Sequence, residues 1–110
     1  MSLYDVDIAD GALGPVIALS GEIDLAAVQT VDERIRAGLH GHASTVVIDL
    51  RAVEFMDSSG LRLVLQLDQD VRGRGGRLVV VRGGRRVARV MELSGVDRQL
   101  ETVDDPAEIQ

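Results

Sequence analysis

A short polar segment, Asp57-Ser58-Ser59-Gly60, carries the side chains with the clearest capacity for chemistry. It lies between an apolar run and a segment of helical periodicity, so it predicts the first turn of a helix. Its carboxylate and hydroxyls suit capping, because they accept hydrogen bonds from unpaired first-turn N–H groups. Capping alone would explain them. A second interpretation is that free N–H donors and the positive helix dipole let this turn tolerate a phosphate on Ser58.

The same serines do not predict a hydrolase. A serine nucleophile needs a base, and His40 and His42 follow the far end of a different predicted helix. No Gly-x-Ser-x-Gly elbow is present. The two histidines have no nearby cysteine or acidic partner, so they do not predict a metal site. Gly73-x-Gly75-Gly76 precedes a strand, which is the wrong order for a dinucleotide-binding fingerprint. We therefore expect no catalytic residue, no metal and no cofactor.

Composition narrows the class of protein. The 110 residues include twelve basic side chains, all arginine, and eighteen acidic ones, for a net charge of −6. This balance argues against direct binding to nucleic acid or to an anionic membrane. No apolar run approaches the roughly 18 residues of a membrane span, and the N-terminus lacks the features of a secretory signal, so we expect a cytoplasmic protein. The absence of cysteine excludes disulfides, and the near absence of aromatic residues predicts an aliphatic core.

The first half of the chain predicts a hairpin followed by a helix. Residues 4–8 alternate apolar and polar side chains, and a second apolar run spans 15–20. Asp24 is a plausible N-cap for the helix that follows. Apolar residues then recur at the spacing of an amphipathic helix that ends near Gly41, at Val28, Val31, Ile35 and Leu39.

The second half alternates strands and helices. Thr45–Leu50 predicts a central buried strand, and Ser58 to about Arg72 predicts a helix with Leu61, Val64, Leu65, Leu67 and Val71 inward. Leu78–Val81 predicts another strand. A short helix with Val87, Val90, Met91 and Leu93 inward, an edge strand over Leu100–Val103 and a one-turn helix capped by Asp105-Pro106 complete the order. The prediction is an α/β domain with a mixed sheet of four to five strands and amphipathic helices packed on it.

Three motifs in this order resemble one family. Gly21-Glu22-Ile23-Asp24, Val46-Val47-Ile48-Asp49-Leu50 and Phe55-Met56-Asp57-Ser58-Ser59-Gly60-Leu61 look like a STAS domain, and more narrowly like the bacterial anti-sigma factor antagonists. Leu93-Ser94-Gly95-Val96 is similar to the late helix end of that family. The resemblance implies one STAS domain over residues 1–110 that is a regulator and not an enzyme. Such a protein binds an anti-sigma factor serine kinase and thereby frees a sigma factor for transcription.

The resemblance also implies roles for individual residues. Ser58 takes the position that the anti-sigma factor phosphorylates, which inactivates the antagonist, and a separate serine phosphatase reverses the modification. Asp24 matches an acidic residue near the surface that contacts the kinase. The expected partner-binding residues are Asp24, Asp57, Ser58, Ser59, Gly60 and Arg62.

Besides a predicted C-terminal helix that is shorter than the family's, two features depart from the family pattern. Arg62 stands where many members have glycine, four residues after Ser58, so the two side chains are neighbours on a helix. It either pairs with a phosphate on Ser58 or is a solvated surface residue. The second feature is a local excess of arginine around Arg82-Gly83-Gly84-Arg85-Arg86, which is either a patch for an acidic partner or a solvated face.

Two rival functions remain open at this point. One is a non-switching STAS scaffold subunit of a stress-sensing or lipid-transport complex, which would form a constitutive assembly. The other is an enzyme or nucleotide-binding protein, against which stand the missing base, metal ligands and phosphate loop. Incubation of the protein alone with ATP separates this last class from the binding modules.

Overall fold

A computed structural model describes residues 3–39 and 44–110. Five strands and three α-helices occur in these ranges, and they confirm the predicted α/β class and mixed sheet. The elements in chain order are β1 (Tyr4–Asp10), β2 (Pro15–Ile23), α1 (Val28–Gly38), β3 (Thr45–Met56), α2 (Ser58–Gly73), β4 (Arg77–Val81), α3 (Arg85–Ser94) and β5 (Glu101–Val103). Single 3₁₀ turns follow at Val96–Arg98 and Pro106–Glu108.

The strands lie in the order β1-β2-β3-β4-β5. The β1–β2 hairpin is antiparallel, as predicted, and every other neighbouring pair is parallel. The carboxyl ends of β2, β3 and β4 therefore lie at one edge of the sheet, and the turns into all three helices leave from that edge. In open sheets with parallel strands, binding sites concentrate at this edge.

Strand β3 is twice as long as predicted, because it continues from Leu50 to Met56. Its first part pairs with β4 only as far as Asp49 opposite Val81, while its last part pairs with β2 up to Met56 opposite Ile23. In the last part the buried residues are three apart, at Val53 and Met56, and the β2–β3 register shifts twice. This spacing departs from the strand period of two, so the apolar pattern did not indicate a strand there.

The core is aliphatic, as the composition predicts. The largest fully buried side chains are Ile17, Leu19, Ile23, Ile35, Ile48, Leu50, Met56 and Met91, with four valines. On α2 the predicted inner face is buried except for Leu65, which is partly buried, and Leu63 joins it. The prediction for Leu93 on α3 is wrong, since this residue is 76% exposed while Val87 and Met91 fill the core.

The start of α1 also differs from the prediction. The helix begins at Val28 with Ala27 at the N-cap position, so Asp24 is not its N-cap. Asp24 instead closes the preceding turn, where its Oδ1 accepts from the Ala27 N–H at 3.1 Å. The helix ends at Gly38, before the predicted end near Gly41, and His40 and His42 lie outside the described residues.

The chain after β5 folds back along β4. Asp105 caps the last turn in a reciprocal capping box with Glu108, as the Asp-Pro pair predicts. Arg77, at the start of β4, forms an ion pair with Glu101 on β5 and donates to the carbonyl oxygen of Gln110 at 2.6 Å. Arg77 therefore joins the edge strand and the last residue to the sheet.

The Arg77–Glu101 pair predicts a pH dependence of stability. The hydrogen bonds from the Arg77 guanidinium hold the pKa of Glu101 below its ordinary value of 4.5. A carboxyl group whose pKa is lowered by folding stabilises the protein above its unfolded-state pKa, and this contribution disappears as the pH falls through the lowered value. We expect Glu101→Gln to flatten the acid limb of stability, measured by urea unfolding from neutral pH to below 4.5. Glu54→Gln, at an exposed position, is the control, and equal slopes for the two variants would contradict the prediction.

No helix in the described ranges has the length and apolarity needed to cross a bilayer.

Candidate protein-binding site at the carboxyl end of β3

Asp57 closes the first turn of α2. Its Oδ1 accepts from the backbone N–H groups of Ser59 at 2.9 Å and Gly60 at 3.2 Å. Its own carbonyl oxygen accepts from the Leu61 N–H at 3.2 Å, which begins the helical ladder. A side chain in this position stabilises a helix by about 1 kcal/mol. The capping interpretation of the sequence is thus correct for Asp57, and the two serines are not the cap.

The second oxygen of Asp57 reaches a different element. Oδ2 accepts from the Leu25 N–H at 3.1 Å, in the turn between β2 and α1. The same turn is closed internally by Asp24, as described above. One carboxylate therefore fixes two turns against each other. We call the two turns together, residues 24–27 and 57–60, the tip.

Ser58 is the first residue of α2 and is exposed, whereas Ser59 is partly buried. The expectation that the helix N-terminus offers free N–H donors is wrong for Ser59 and Gly60, because Asp57 already occupies both groups. A phosphate on Ser58 would stand beside a carboxylate at this turn. Within the described residues neither serine hydroxyl is hydrogen-bonded to a histidine or carboxylate that could act as a base.

Gly60 is the buried residue of the tip and lies where α2 meets the end of β2. A Cβ atom at this position would lie 2.6 Å from Cγ of Met56 and 2.8 Å from the carbonyl oxygen of Ile23. Both distances are shorter than carbon contacts allow, and one of the neighbours is backbone. The absence of a side chain at residue 60 therefore lets α2 start directly against the ends of β2 and β3, so Gly60 positions the tip from beneath.

Two large apolar side chains near the Asp57 turn are exposed. Leu25 is 74% exposed in the turn that Asp57 holds, and Phe55 is 45% exposed near the end of β3. Sequence reasoning did not place either of them in the site. The structure accounts for Phe55, because burial of Val53 and Met56 leaves the two residues between them, Glu54 and Phe55, exposed. Exposed apolar residues on a rigid turn are typical of protein-binding surfaces.

Arg62 lies on the side of the tip that faces α1. It lines a groove of about 200 Å³ with Leu25 and Ser59, and the rest of the lining is Val28, Gln29, Asp32, Leu63 and Gln66. Its side chain forms no ion pair among residues 3–39 and 44–110. The pairing of Arg62 with a phosphorylated Ser58 stays a prediction.

The structure thus brings together the six residues predicted for the partner-binding site. Asp57 and Gly60 hold the backbone, while Ser58 and Arg62 face solvent and Asp24 and Ser59 are partly buried. A rigid, partly apolar surface with one exposed hydroxyl can bind a protein and can be modified. A model of the STAS domain matches residues 4–109. The chain belongs to the STAS domain family.

Two proteins that are similar to this chain agree with its assignment to the STAS family. The anti-sigma-F factor antagonist RsfB of Mycobacterium tuberculosis is 32% identical over 93 residues, which cover 84% of this chain and 75% of RsfB. The crystal structure of an anti-sigma factor antagonist from Mycobacterium paratuberculosis is 27% identical, with a TM-score of 0.85 over 96% of this chain and 89% of that one.

The antagonist SpoIIAA has the same STAS fold and has been solved in two states. Its unphosphorylated form is 26% identical, with a TM-score of 0.75 over 94% of this chain and 91% of that one. Its phosphorylated form has a TM-score of 0.68 at 24% identity, over 94% of this chain and 95% of that one, and this likeness shows the fold alone.

Proposed function

We propose that this STAS domain is an anti-sigma factor antagonist that phosphorylation of Ser58 switches off. When Ser58 is unphosphorylated, the tip binds an anti-sigma factor serine kinase, and the sigma factor held by that kinase is released. The observation that carries the proposal is the position of Ser58. The residue is exposed on a turn whose backbone Asp57 fixes. Leu25, in the turn that Asp57 also holds, and Phe55, three residues before Ser58, are exposed apolar residues.

The residues of the tip and its neighbours Phe55 and Arg62 contribute to binding in different ways. Leu25 and Phe55 offer apolar area that a partner can cover, and each fully covered side chain of this size contributes about 2 kcal/mol. Asp24, Ser59 and Arg62 surround that area with polar groups that fix the orientation of the partner. Asp57 and Gly60 keep the surface in one shape, which lowers the entropy lost on association.

Phosphorylation of Ser58 adds negative charge to this surface, where the side chain predicted to pair with it is Arg62, one helical turn away. The kinase transfers the γ-phosphoryl group of ATP to Oγ of Ser58, which loses its proton and gains about two negative charges. The nearest helix N–H donors already bind the Asp57 carboxylate. The phosphate therefore adds like charge next to Asp57, and burying it against a partner costs several kcal/mol. A serine phosphatase restores the binding form by hydrolysis.

The remaining properties follow from the same model. The protein is a substrate and ligand of the kinase and performs no catalysis itself, and it needs no cofactor. Its net charge of −6 is unfavourable for direct contact with nucleic acid or anionic lipid. It acts in the cytoplasm, and it affects transcription only through the sigma factor.

The proposal predicts a single modified serine. Incubation with an anti-sigma factor kinase from the same genome and ATP is expected to add one phosphate at Ser58, located by fragmentation mass spectrometry. Ser58→Ala is expected to stay unmodified, whereas Ser59→Ala, which changes the partly buried neighbour, is expected to accept phosphate. A modified Ser58→Ala protein, or an unmodified wild type that still binds the kinase, would overturn the switch.

A further inference from the structure

The arginines of this chain fall into two groups. Six of the twelve form ion pairs with aspartate or glutamate in the described part of the chain. These are Arg34, Arg36, Arg51, Arg72, Arg77 and Arg82. Of the three arginines in the basic turn that the sequence singles out, only Arg82 is paired among the residues that the structure describes, with Asp97 and Asp104.

Three of the other six arginines lie together at the start of α3. Arg85, Arg86 and Arg89 are exposed and form no ion pair within residues 3–39 and 44–110. Arg85 and Arg86 are the first two residues of the helix, after Gly84 at the N-cap position. The first turn contains no acidic residue, and no side chain caps it.

Arginine at the first two positions of α3 is unfavourable because of the helix dipole. The N-terminus of a helix carries a partial positive charge, so arginine in the first turn is unfavourable and aspartate or glutamate is favourable. Departures from local preference that gain nothing within the fold are expected at functional sites. This argument favours a role for the arginines of α3 in binding another molecule.

An exposed apolar side chain continues the same face of α3. Leu93 follows Arg86 by seven residues and Arg89 by four, spacings that place all three on one side of a helix. Leu93 is 76% exposed, and Val90 between them is partly buried. We call this face, Arg85, Arg86, Arg89 and Leu93, the α3 face. It combines free positive charge with apolar area, as protein-binding surfaces do.

The α3 face also lies in the part of the fold that carries the tip. Helix α3 leaves the carboxyl end of β4, at the sheet edge from which α2 leaves β3. The helix packs on β3, the strand that ends one residue before Asp57. The turn before α3 is close-packed there, since a Cβ on Gly83 would lie 2.5 Å from the carbonyl oxygen of Leu50.

We propose that the α3 face is a second contact for the anti-sigma factor and binds an acidic surface beside the region that binds the tip. This inference rests on the proposed function. The charge of the chain supports it, because without the three arginines the formal charge is 9 − 18 = −9. An acidic partner surface is repelled by most of the chain and attracted by this face, which orients the encounter and speeds association.

The test compares two variants that change the net charge equally. Arg85→Glu/Arg86→Glu reverses charge on the α3 face, and Arg74→Glu/Arg98→Glu reverses two other exposed arginines without ion pairs among the described residues. Binding to the anti-sigma factor kinase is measured by surface plasmon resonance. We expect the α3 variant to associate about tenfold more slowly than the control variant at low salt, with the difference shrinking at about 0.5 M NaCl.

Thermal unfolding separates a role in binding from a role in stability. If Arg85 and Arg86 stabilised the fold, their replacement would lower the unfolding temperature. Glutamate at the first two positions of α3 complements the helix dipole, so the α3 variant is expected to unfold at the same or a higher temperature than the wild type. Equal association rates for the two variants, with wild-type binding intact, would overturn the α3 contact and leave the proposed function standing. A wild type that does not bind the kinase at all would overturn both.

Discussion

Ser58→Asp is expected to weaken binding to the anti-sigma factor by about 100-fold or more, because an uncompensated charge buried in an interface costs about 3–5 kcal/mol. The new carboxylate would stand next to Asp57, whose two oxygens already hold the backbone N–H groups of the tip. Ser58→Ala is expected to bind like the wild type, since it removes a hydroxyl at an exposed position. Isothermal titration calorimetry of the three proteins against the kinase measures the effect.

A second acidic variant on the same helix separates position from total charge. Gln69→Glu also adds one negative charge at an exposed site, eleven residues or about 16 Å farther along α2. It is expected to bind within about twofold of the wild type, because exposed charges more than a Debye length apart are screened. If Ser58→Asp binds as tightly as Gln69→Glu, Ser58 does not lie in the interface.

Asp57→Ala is expected to lower the free energy of unfolding by about 1–2 kcal/mol. The substitution removes the acceptor of three backbone N–H groups, those of Leu25, Ser59 and Gly60. Loss of an N-cap costs about 1 kcal/mol, and loss of the bond to the exposed Leu25 N–H adds less, because water can replace the carboxylate there. Asp57→Asn keeps an oxygen acceptor but exchanges the other oxygen for a donor, so an intermediate loss is expected. Urea unfolding followed by circular dichroism measures both.

The cap at the other end of the chain is the control for Asp57. Asp105 accepts from the backbone N–H of Ala107 at 2.9 Å and forms a capping box with Glu108, all within one exposed turn. Asp105→Ala is expected to cost less than Asp57→Ala and to leave kinase binding unchanged, while Asp57→Ala loses affinity because its tip is no longer held. Equal losses of stability, with kinase binding kept in both variants, would mean that the link from Asp57 to Leu25 is unimportant.

The fold was predictable from the sequence where a segment keeps one period over its whole length. Helix α2 repeats its apolar residues through four turns, and β1 alternates apolar and polar residues before the turn into β2. The second half of β3 was missed because its register shifts place buried residues three apart. A local pattern cannot show a register irregularity that depends on the neighbouring strand.

The sequence predicted which residues form the candidate site, but not the hydrogen bond that joins its two turns. Asp57 and Ser58 are visible in the sequence because capping residues before a periodic segment mark a helix start. The bond from Asp57 to Leu25 spans 32 residues of sequence, so no local signal indicates it. Asp24 was assigned to the wrong turn for a related reason, since the same aspartate preference serves both helix caps and tight turns.

Because Asp57, and not Ser58, closes the first turn of α2, the residue that we propose to be modified is not one that holds this turn together. Regions whose backbone bonds open easily are the ones that exchange amide protons and admit proteases. If modification unfolded this turn, the modified protein would be more accessible to proteases than the unmodified one. Under the proposed switch, modification leaves the hydrogen bonds of this turn in place, so we expect the modified protein to be no more susceptible to proteolysis than the unmodified one.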